Sequence, residues 1–368
     1  MLRIGLVGMG PKGHHYATAL AAIEKYNKTA CLAAVAELDP ARRAQAQQHY
    51  GCAVYSSHEA MLADAKLDLV AVVTSSHLHA RPALDALNAG CHVLCEKPLS
   101  MDPGECRAMI AAAQANRRKL WTGFEYRVSR GVQTLRPRFL SGELGRVCNL
   151  HWYTMKKVFL PQLKHGSAHM QETVHAFDEV RYLLGESGEF EEVVTSLMER
   201  TITGPETDHH FMGTPEQQAD PCVRALPEVW DVSDRAYLDT CWTTVRLRGG
   251  AVGSFGLVAG LPAKGVSGGF VVVTDRASIF PGHKGWRVVW RKGWRLNPYE
   301  NCEEEMRFTP YENEVPLTRV MLDAAVHHLI TGEPVPLADG EDGFAAVKVA
   351  LAAERAAKEG RRVALAEI

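Results

Sequence analysis

Short apolar runs alternate with amphipathic stretches through residues 1–122. Arg3–Val7, Cys31–Ala36, Leu69–Val73 and His92–Cys95 are nearly continuous in apolar residues, as strands are when both faces of a sheet are covered. Between them, His15–Tyr26, Ala41–Tyr50, Ala80–Ala89 and Pro103–Asn116 read as helices. Strands and helices alternating at this spacing predict βαβ units and a doubly wound parallel sheet of the Rossmann type.

After Trp121 the pattern changes. Gly131–Leu140 reads as a helix, Val147–Thr154 as a strand, and residues 169–186, HMQETVHAFDEVRYLLGE, as a second helix. From about Glu191 onward the signals are antiparallel. Residues 237–258 read as two strands around a Gly249-Gly250 turn, and GFVVVTDRASIF and WRVVWRKGWRL as two further hairpins. Leu317–Thr331 and Asp342–Glu359 are helical again. The chain is therefore expected to be α/β. Residues 1–122 form the dinucleotide-binding domain. Residues 123–368 form an α+β domain on a large, mostly antiparallel sheet, and its C-terminal helices are placed to pack back on the first domain. Residues 201–235, rich in Pro, Gly and acidic side chains, read as a long loop, either a lid or an oligomer contact.

Length and composition agree with this division. The 368 residues exceed what one core usually serves. The formal net charge of −2 gives no global pull toward nucleic acid or an anionic membrane, and no apolar run has the length of a span. The N-terminal MLRIGLVGMG enters a strand at once and lacks the layout of a signal peptide. Nine scattered cysteines, an odd number, do not form a disulfide framework. Cys91 and Cys95 lie in an apolar strand with no second pair to complete a zinc site. A cytoplasmic protein is expected.

The chemistry begins at the first strand. Gly8-Met9-Gly10-Pro11-Lys12-Gly13 follows it and opens a helix, the context in which G-x-G-x-x-G binds a dinucleotide. The first glycine permits the turn, the second lets the pyrophosphate approach the backbone, and the third lets helix and strand pack closely. Glu37, at the tip of the second strand, suits the adenosine ribose hydroxyls and repels a 2′-phosphate, so NAD is favoured over NADP. Arg42 and Arg43 follow, either as a solvated helix face or as a softening of that preference. The fourth strand ends in Glu96-Lys97-Pro98, at the carboxyl edge where open α/β sheets bind ligands.

Together these residues resemble the glucose–fructose oxidoreductase / inositol dehydrogenase / MocA family. The resemblance extends over TSSHLHARPALDALNAGCHVLCEKPLS (74–100), GFEYRVSRGVQTLRPRFLSGELGRV (123–147), ETVHAFDEVRYLLGE and the closing LADGEDGFAAVKVALAAERAAKEGRRVAL. It implies a two-domain NAD(P)-dependent oxidoreductase acting on sugars, polyols or their derivatives, with the second domain's sheet joining a homodimer or homotetramer. It also implies that Lys97 lies near the nicotinamide, that His175 is the catalytic histidine, and that Thr74, Ser75, Ser76 and His79 form the cofactor-side loop with Glu96. That loop is usually T-P-N-x-x-H, and here Ser-Ser replaces Pro-Asn.

The family pattern D-x-G-x-H-x-x-D appears here as Gln171-Glu172-Thr173-Val174-His175-Ala176-Phe177-Asp178. The same stretch is one residue away from the zinc-protease pattern H-E-x-x-H. It lacks the first histidine, however, and His169 lies off the i, i+4 face, so no metal site is expected. Val174, Phe177, Val180, Leu183 and Leu184 form a core stripe, while Gln171, His175 and Asp178 share another face. In alcohol oxidation His175 suits the base, Lys97 the stabiliser of developing alkoxide charge, and Asp178 the group that orients His175. Gln171 carries no proton but can hydrogen-bond a substrate hydroxyl, and Glu172 points about a quarter-turn away. Tyr126, Arg127, Trp152, Lys156, Lys157 and His165 are further candidates to line a substrate pocket. Lys156, Lys157 and Lys164 read either as a solvated basic face or as a preference for an anionic substrate. His209-His210 has no ligand partners at good spacing. Two other functions fit the same residues. One is a glycosidase that works by transient oxidation on bound NAD. The other is a dinucleotide-binding sensor without turnover.

Overall fold

The computed structural model describes residues 1–155, 166–199, 240–258, 269–282, 285–290, 302–307 and 315–368. The described residues fall into two compact units. The first contains Met1–Val128 and Val315–Val347, and the second draws on 129–205, 232–314 and Lys348–Ile368.

In the first unit, β1 (Leu2–Val7), β2 (Ala30–Ala36), β3 (Ala53–Tyr55), β4 (Leu69–Val72), β5 (His92–Cys95) and β6 (Leu120–Thr122) form a parallel sheet in the order β6-β5-β4-β1-β2-β3. A two-residue strand, β15 (Ala338–Asp339), pairs antiparallel with β6. The continuous apolar reading of β1, β4 and β5 is explained by their burial, since Ile4, Leu6, Val70, Val72, Val93 and Cys95 have no exposure. The three-residue strands β3 and β6 are too short for a periodic signal and were not expected. α1 (Pro11–Tyr26), α2 (Pro40–Tyr50), α3 (His58–Asp64), α4 (Ala80–Asn88) and α5 (Pro103–Ala115) connect the strands. Asp39, Ser57 and Asp102 start three of these helices by accepting backbone N–H bonds. A later helix, α8 (Leu317–Thr331), contributes Met321, Leu322, Ala325 and Val326 to the same core as Tyr16, Leu20 and Ile23 of α1.

The second unit is built on a nine-stranded sheet, β14-β13-β12-β11-β7-β10-β9-β8-β16. Its strands are β7 (Val147–Met155), β8 (Phe190–Glu199), β9 (Thr240–Leu247), β10 (Val252–Val258), β11 (Gly269–Thr274), β12 (Ala277–Gly282), β13 (Gly285–Trp290), β14 (Cys302–Arg307) and β16 (Val363–Ala364). All neighbours are antiparallel except β7 and β10. The hairpin expected within WRVVWRKGWRL is corrected: β13 pairs with β12 and β14, so its second partner is the acidic Cys302–Arg307. Before the sheet comes α6 (Arg130–Leu140), and α9 (Gly340–Glu359) is the last long helix.

The strands alternate between a covered and an open face. Cys241, Thr243, Val245 and Leu247 of β9 are buried, while Trp242 and Arg246 are exposed. On the covered side Phe177 of α7 (Val174–Leu184) packs on Phe190 of β8 and Phe255 of β10, with ring centroids 5.5 and 5.1 Å away. On the open side one register row runs Leu197, Trp242, Gly256, Tyr153, Gly269. A Cβ at Gly256 would fall 2.1 Å from the Trp242 ring, and one at Gly269 2.5 Å from the Tyr153 ring. The two glycines are therefore the beds on which these rings lie.

Among the described residues no helix is long and apolar enough to cross a membrane. Cys31, Cys52, Cys91, Cys95, Cys106, Cys148 and Cys241 are free thiols.

Candidate functional site

The glycine loop is held by steric necessity at two of its three glycines. Gly8 has φ +98°, and a Cβ on Gly13 would lie 2.3 Å from the Gly8 carbonyl oxygen. Gly10 faces open space, with nothing within 4 Å of a Cβ built there. It is also the N-cap of α1 and supplies no side-chain hydrogen bond, and Pro11 opens the helix. An uncapped helix start beside an open glycine is a cradle for a phosphate.

Glu37 follows β2 and leans back over this loop. Its Oε2 accepts from the Met9 N–H at 2.6 Å and its Oε1 from the Asp39 N–H at 3.0 Å. The Arg43 guanidinium donates to the carbonyl oxygens of Glu37 and Leu38, each at 2.7 Å. Arg43 thus braces the loop and is not simply a solvated helix residue. The carboxylate beside the glycine loop fits the ribose of a dinucleotide, so the residues present fit NAD.

Lys12, expected among the cofactor contacts, holds its ammonium 3.0 Å from Glu125 Oε2, 3.4 Å from Glu96 Oε1 and 3.3 Å from Thr318 Oγ1. Burial alone would lower its pKa, but the two carboxylates outweigh burial and hold it above the ordinary lysine value. Glu96, also expected at the cofactor, is buried and accepts from Tyr16 Oη at 2.9 Å and from the Lys97 N–H at 3.1 Å. Its carboxylate braces the β5 end against α1. Burial, then Glu96, push the Tyr16 phenol well above its usual pKa.

The β4 and β5 ends are joined by one ring. His79, expected in the cofactor-side loop, is buried, with Nδ1 2.8 Å from the Pro98 carbonyl oxygen and Nε2 3.1 Å from that of Thr74. Ser76 is buried beside it, whereas Ser75 is exposed. Lys97 is half-buried at the same carboxyl edge, and the Lys97-Pro98 bond is cis. Beyond β6, Tyr126 is 37% exposed, but Arg127 is buried and paired with Asp342 at 2.8 Å. Arg127, expected to line a substrate pocket, places one guanidinium nitrogen on this internal pair.

In the second unit the expected straight α-helix is corrected. Residues His169–Thr173 form a π-helical turn, closed by a bond from the Val174 N–H to the His169 carbonyl, and only then does α7 begin. One extra residue enters the turn, a departure that hydrophobic periodicity does not register. Gln171, Glu172, His175 and Asp178 are all buried here. Lys156, Lys157, Lys164, His165, His209, His210 and the 201–235 loop lie outside the described residues.

Glu179 was missed by the sequence reading. It is buried one helical turn beyond His175, next to Asp178, and accepts a hydrogen bond from the Trp152 side chain of β7. Burial first, and Asp178 second, push its carboxyl up to about 8. The i, i+4 spacing from His175 was the available signal. Tyr16, Glu125 and Thr318 were also missed, and of these only Tyr16, one turn after Lys12 on α1, had a comparable signal.

Comparison with known proteins places the chain. Residues 2–124 match the model described as the oxidoreductase family, NAD-binding Rossmann fold, and residues 141–365 match that family's C-terminal alpha/beta domain. The chain belongs to this oxidoreductase family. It is 26% identical over 389 residues to myo-inositol 2-dehydrogenase of Thermotoga maritima, covering 100% of this chain and 99% of that protein. It is 31% identical over 190 residues to inositol 2-dehydrogenase of Salmonella typhimurium, a match spanning 50% of this chain and 55% of that one. Among solved structures, levoglucosan dehydrogenase in complex with NADH and L-sorbose has the same fold, with a TM-score of 0.78, 21% identity and coverage of 99% of this chain and 98% of that one.

Proposed function

We propose that this protein is an NAD-dependent oxidoreductase that moves a hydride between the nicotinamide and a hydroxyl-bearing carbon of a sugar, polyol or sugar derivative. The observation that carries this reading is membership of the oxidoreductase family together with the loop geometry: an open glycine at an uncapped helix start, with the Glu37 carboxylate folded over it. Relatives named for inositol and levoglucosan support a polyhydroxy substrate.

When bound, NAD supplies the hydride acceptor. His175 takes the hydroxyl proton, a role that suits an imidazole near neutral pH. Lys97 donates a hydrogen bond to the oxygen on which negative charge develops. Asp178, three residues along the helix, orients the imidazole, and Gln171 contacts substrate hydroxyls, while Trp152, its N–H given to Glu179, offers the substrate its ring face. The glycine loop and Glu37 hold the dinucleotide, and Glu37 sets the preference for NAD over NADP. Free thiols support a cytoplasmic setting. The open face of the nine-stranded sheet, with Trp242 and Leu197 exposed, supports a homodimer or homotetramer through that face.

The test is nicotinamide absorbance during incubation with NAD and a panel of polyols, sugars, sugar acids and glycosides. NADH is expected with at least one compound, and Lys97→Ala and His175→Ala are each expected to lower that rate at least a hundredfold. Sugar released from a glycoside without NADH accumulation would identify the glycosidase instead. NADH binding with neither signal would identify a sensor.

A further inference from the structure

π-Helical turns are rare and occur mostly at functional sites, so something must hold the extra residue in place. Here the turn begins at His169, whose side chain has no solvent exposure. Its Nε2 lies 2.5 Å from Thr243 Oγ1 of β9 and 3.5 Å from Ser196 Oγ of β8, and its Nδ1 lies 3.5 Å from Cys241 Sγ. The two hydroxyls are 2.7 Å apart, and Thr173 Oγ1, at the other end of the turn, lies 3.7 Å from Cys241 Sγ. The ring also packs on Phe177, with centroids 5.9 Å apart.

Burial pushes the imidazole down to about 3 and the thiol up to about 12. Both groups are neutral, so Cys241 is a structural thiol and not a nucleophile. A neutral imidazole has one N–H and one lone pair, and hydroxyls and a thiol, each able to donate or accept, satisfy both. Detaching a buried polar ring from such partners is costly. The backbone at residue 169 is therefore tied to two strands of the sheet.

We propose that His169 is a positioning residue for His175: by fastening the first residue of the π turn to β8 and β9, it holds the turn and sets the face that Gln171, Glu172 and His175 present. The inference rests on the reading of His175 as the base. Collapse of the turn to α geometry removes one residue from it. That rotates Gln171 and Glu172 by roughly 100° relative to His175, the angle per residue of an α-helix.

Three variants test this: His169→Leu, which removes the polar ring; His169→Gln, whose amide reaches toward the Nε2 position; and Thr243→Val, which removes only the partner. Each is crystallised, titrated with NADH, and assayed on the panel compound that yields NADH with the wild type. His169→Leu is expected to bind NADH as the wild type does, to lose the Val174 N–H to His169 carbonyl bond, and to lose kcat on the order of tenfold to a hundredfold with little change in KM. His169→Gln should recover most of that loss. Thr243→Val should show part of it and add nothing to His169→Leu. A π turn intact in His169→Leu, or an unchanged kcat, would overturn the proposal. If His169→Leu does not fold, Thr243→Val decides the same comparison. Full turnover in His175→Ala would instead remove the base assignment, while the crystal structures would still judge the hold on the turn.

Discussion

The imidazole of His79 ties the Thr74 carbonyl to the Pro98 carbonyl, so one side chain sets the spacing of the two loops that follow β4 and β5. Burial lowers its pKa, while the two carbonyl oxygens, each facing a ring nitrogen, act in the opposite direction by favouring the protonated ring that donates to both. His79→Ala should cost ~1–3 kcal/mol of stability by leaving a buried carbonyl unsatisfied. It should also weaken NADH binding roughly tenfold, because the loops lose their preorganisation. Urea unfolding and a fluorescence titration with NADH measure the two effects separately, and unchanged NADH affinity would show that the loops hold without the ring.

Lys12 stands between two carboxylates, Glu96 and Glu125. Lys12→Met leaves them facing each other with no counter-charge. The expected destabilisation is ~2–3 kcal/mol, below the value for a fully buried pair because the Lys12 side chain is 34% exposed. Lys12→Met/Glu125→Gln should recover part of it. If Lys12→Met unfolds at the same urea concentration as the wild type, the pair is not stabilising.

Glu37 governs cofactor choice in the proposed function. Glu37→Ser removes the charge that would face a 2′-phosphate, together with the acceptor for the Met9 N–H. Affinity for NADH should fall and the NADPH/NADH affinity ratio should rise, on the order of tenfold or more. Paired fluorescence titrations read this directly, and an unchanged ratio would place the determinant elsewhere.

Glu179 gives stability a pH dependence of defined sign. Its carboxyl is raised from 4.5 to about 8 in the folded protein. Between these values the unfolded chain releases this proton and the folded protein keeps it. The Glu179 contribution to stability therefore declines as pH rises from about 4.5 to about 8. The shift corresponds to an upper limit of ~5 kcal/mol. Glu179→Gln, which stays neutral, should be more stable than the wild type at pH 8 and close to it at pH 5. Urea midpoints at the two pH values test this, and a variant less stable at both would mean that Glu179 is held ionised.

The strands and helices that bury continuous or periodic apolar surface were legible in the sequence: β1, β4, β5 and the helices around them announce themselves because each is long enough to repeat. Three-residue β3 and β6 were not, because their pairing comes from neighbours already in place. The positions of the glycine loop and Glu37 were readable from spacing, since geometry at a strand–helix turn is local. The commitments of Lys12, Glu96 and Arg127 were not. Each is decided by a partner far along the chain (Glu125, Tyr16, Asp342), and nothing in a local motif names that partner. The π turn escaped for a related reason, since its anchors Ser196, Cys241 and Thr243 lie on strands that follow it.

The core shared by α1 and α8 also has a consequence in time. Met321, Leu322, Ala325 and Val326 complete a core begun by Tyr16, Leu20 and Ile23, and residues 27–316 are made between the two helices. At ribosomal rates of roughly 5–20 residues per second, the early helix waits on the order of fifteen to sixty seconds for its partner. Through that interval the apolar face of α1 is an uncovered surface on a nascent chain, the kind of surface that chaperones bind.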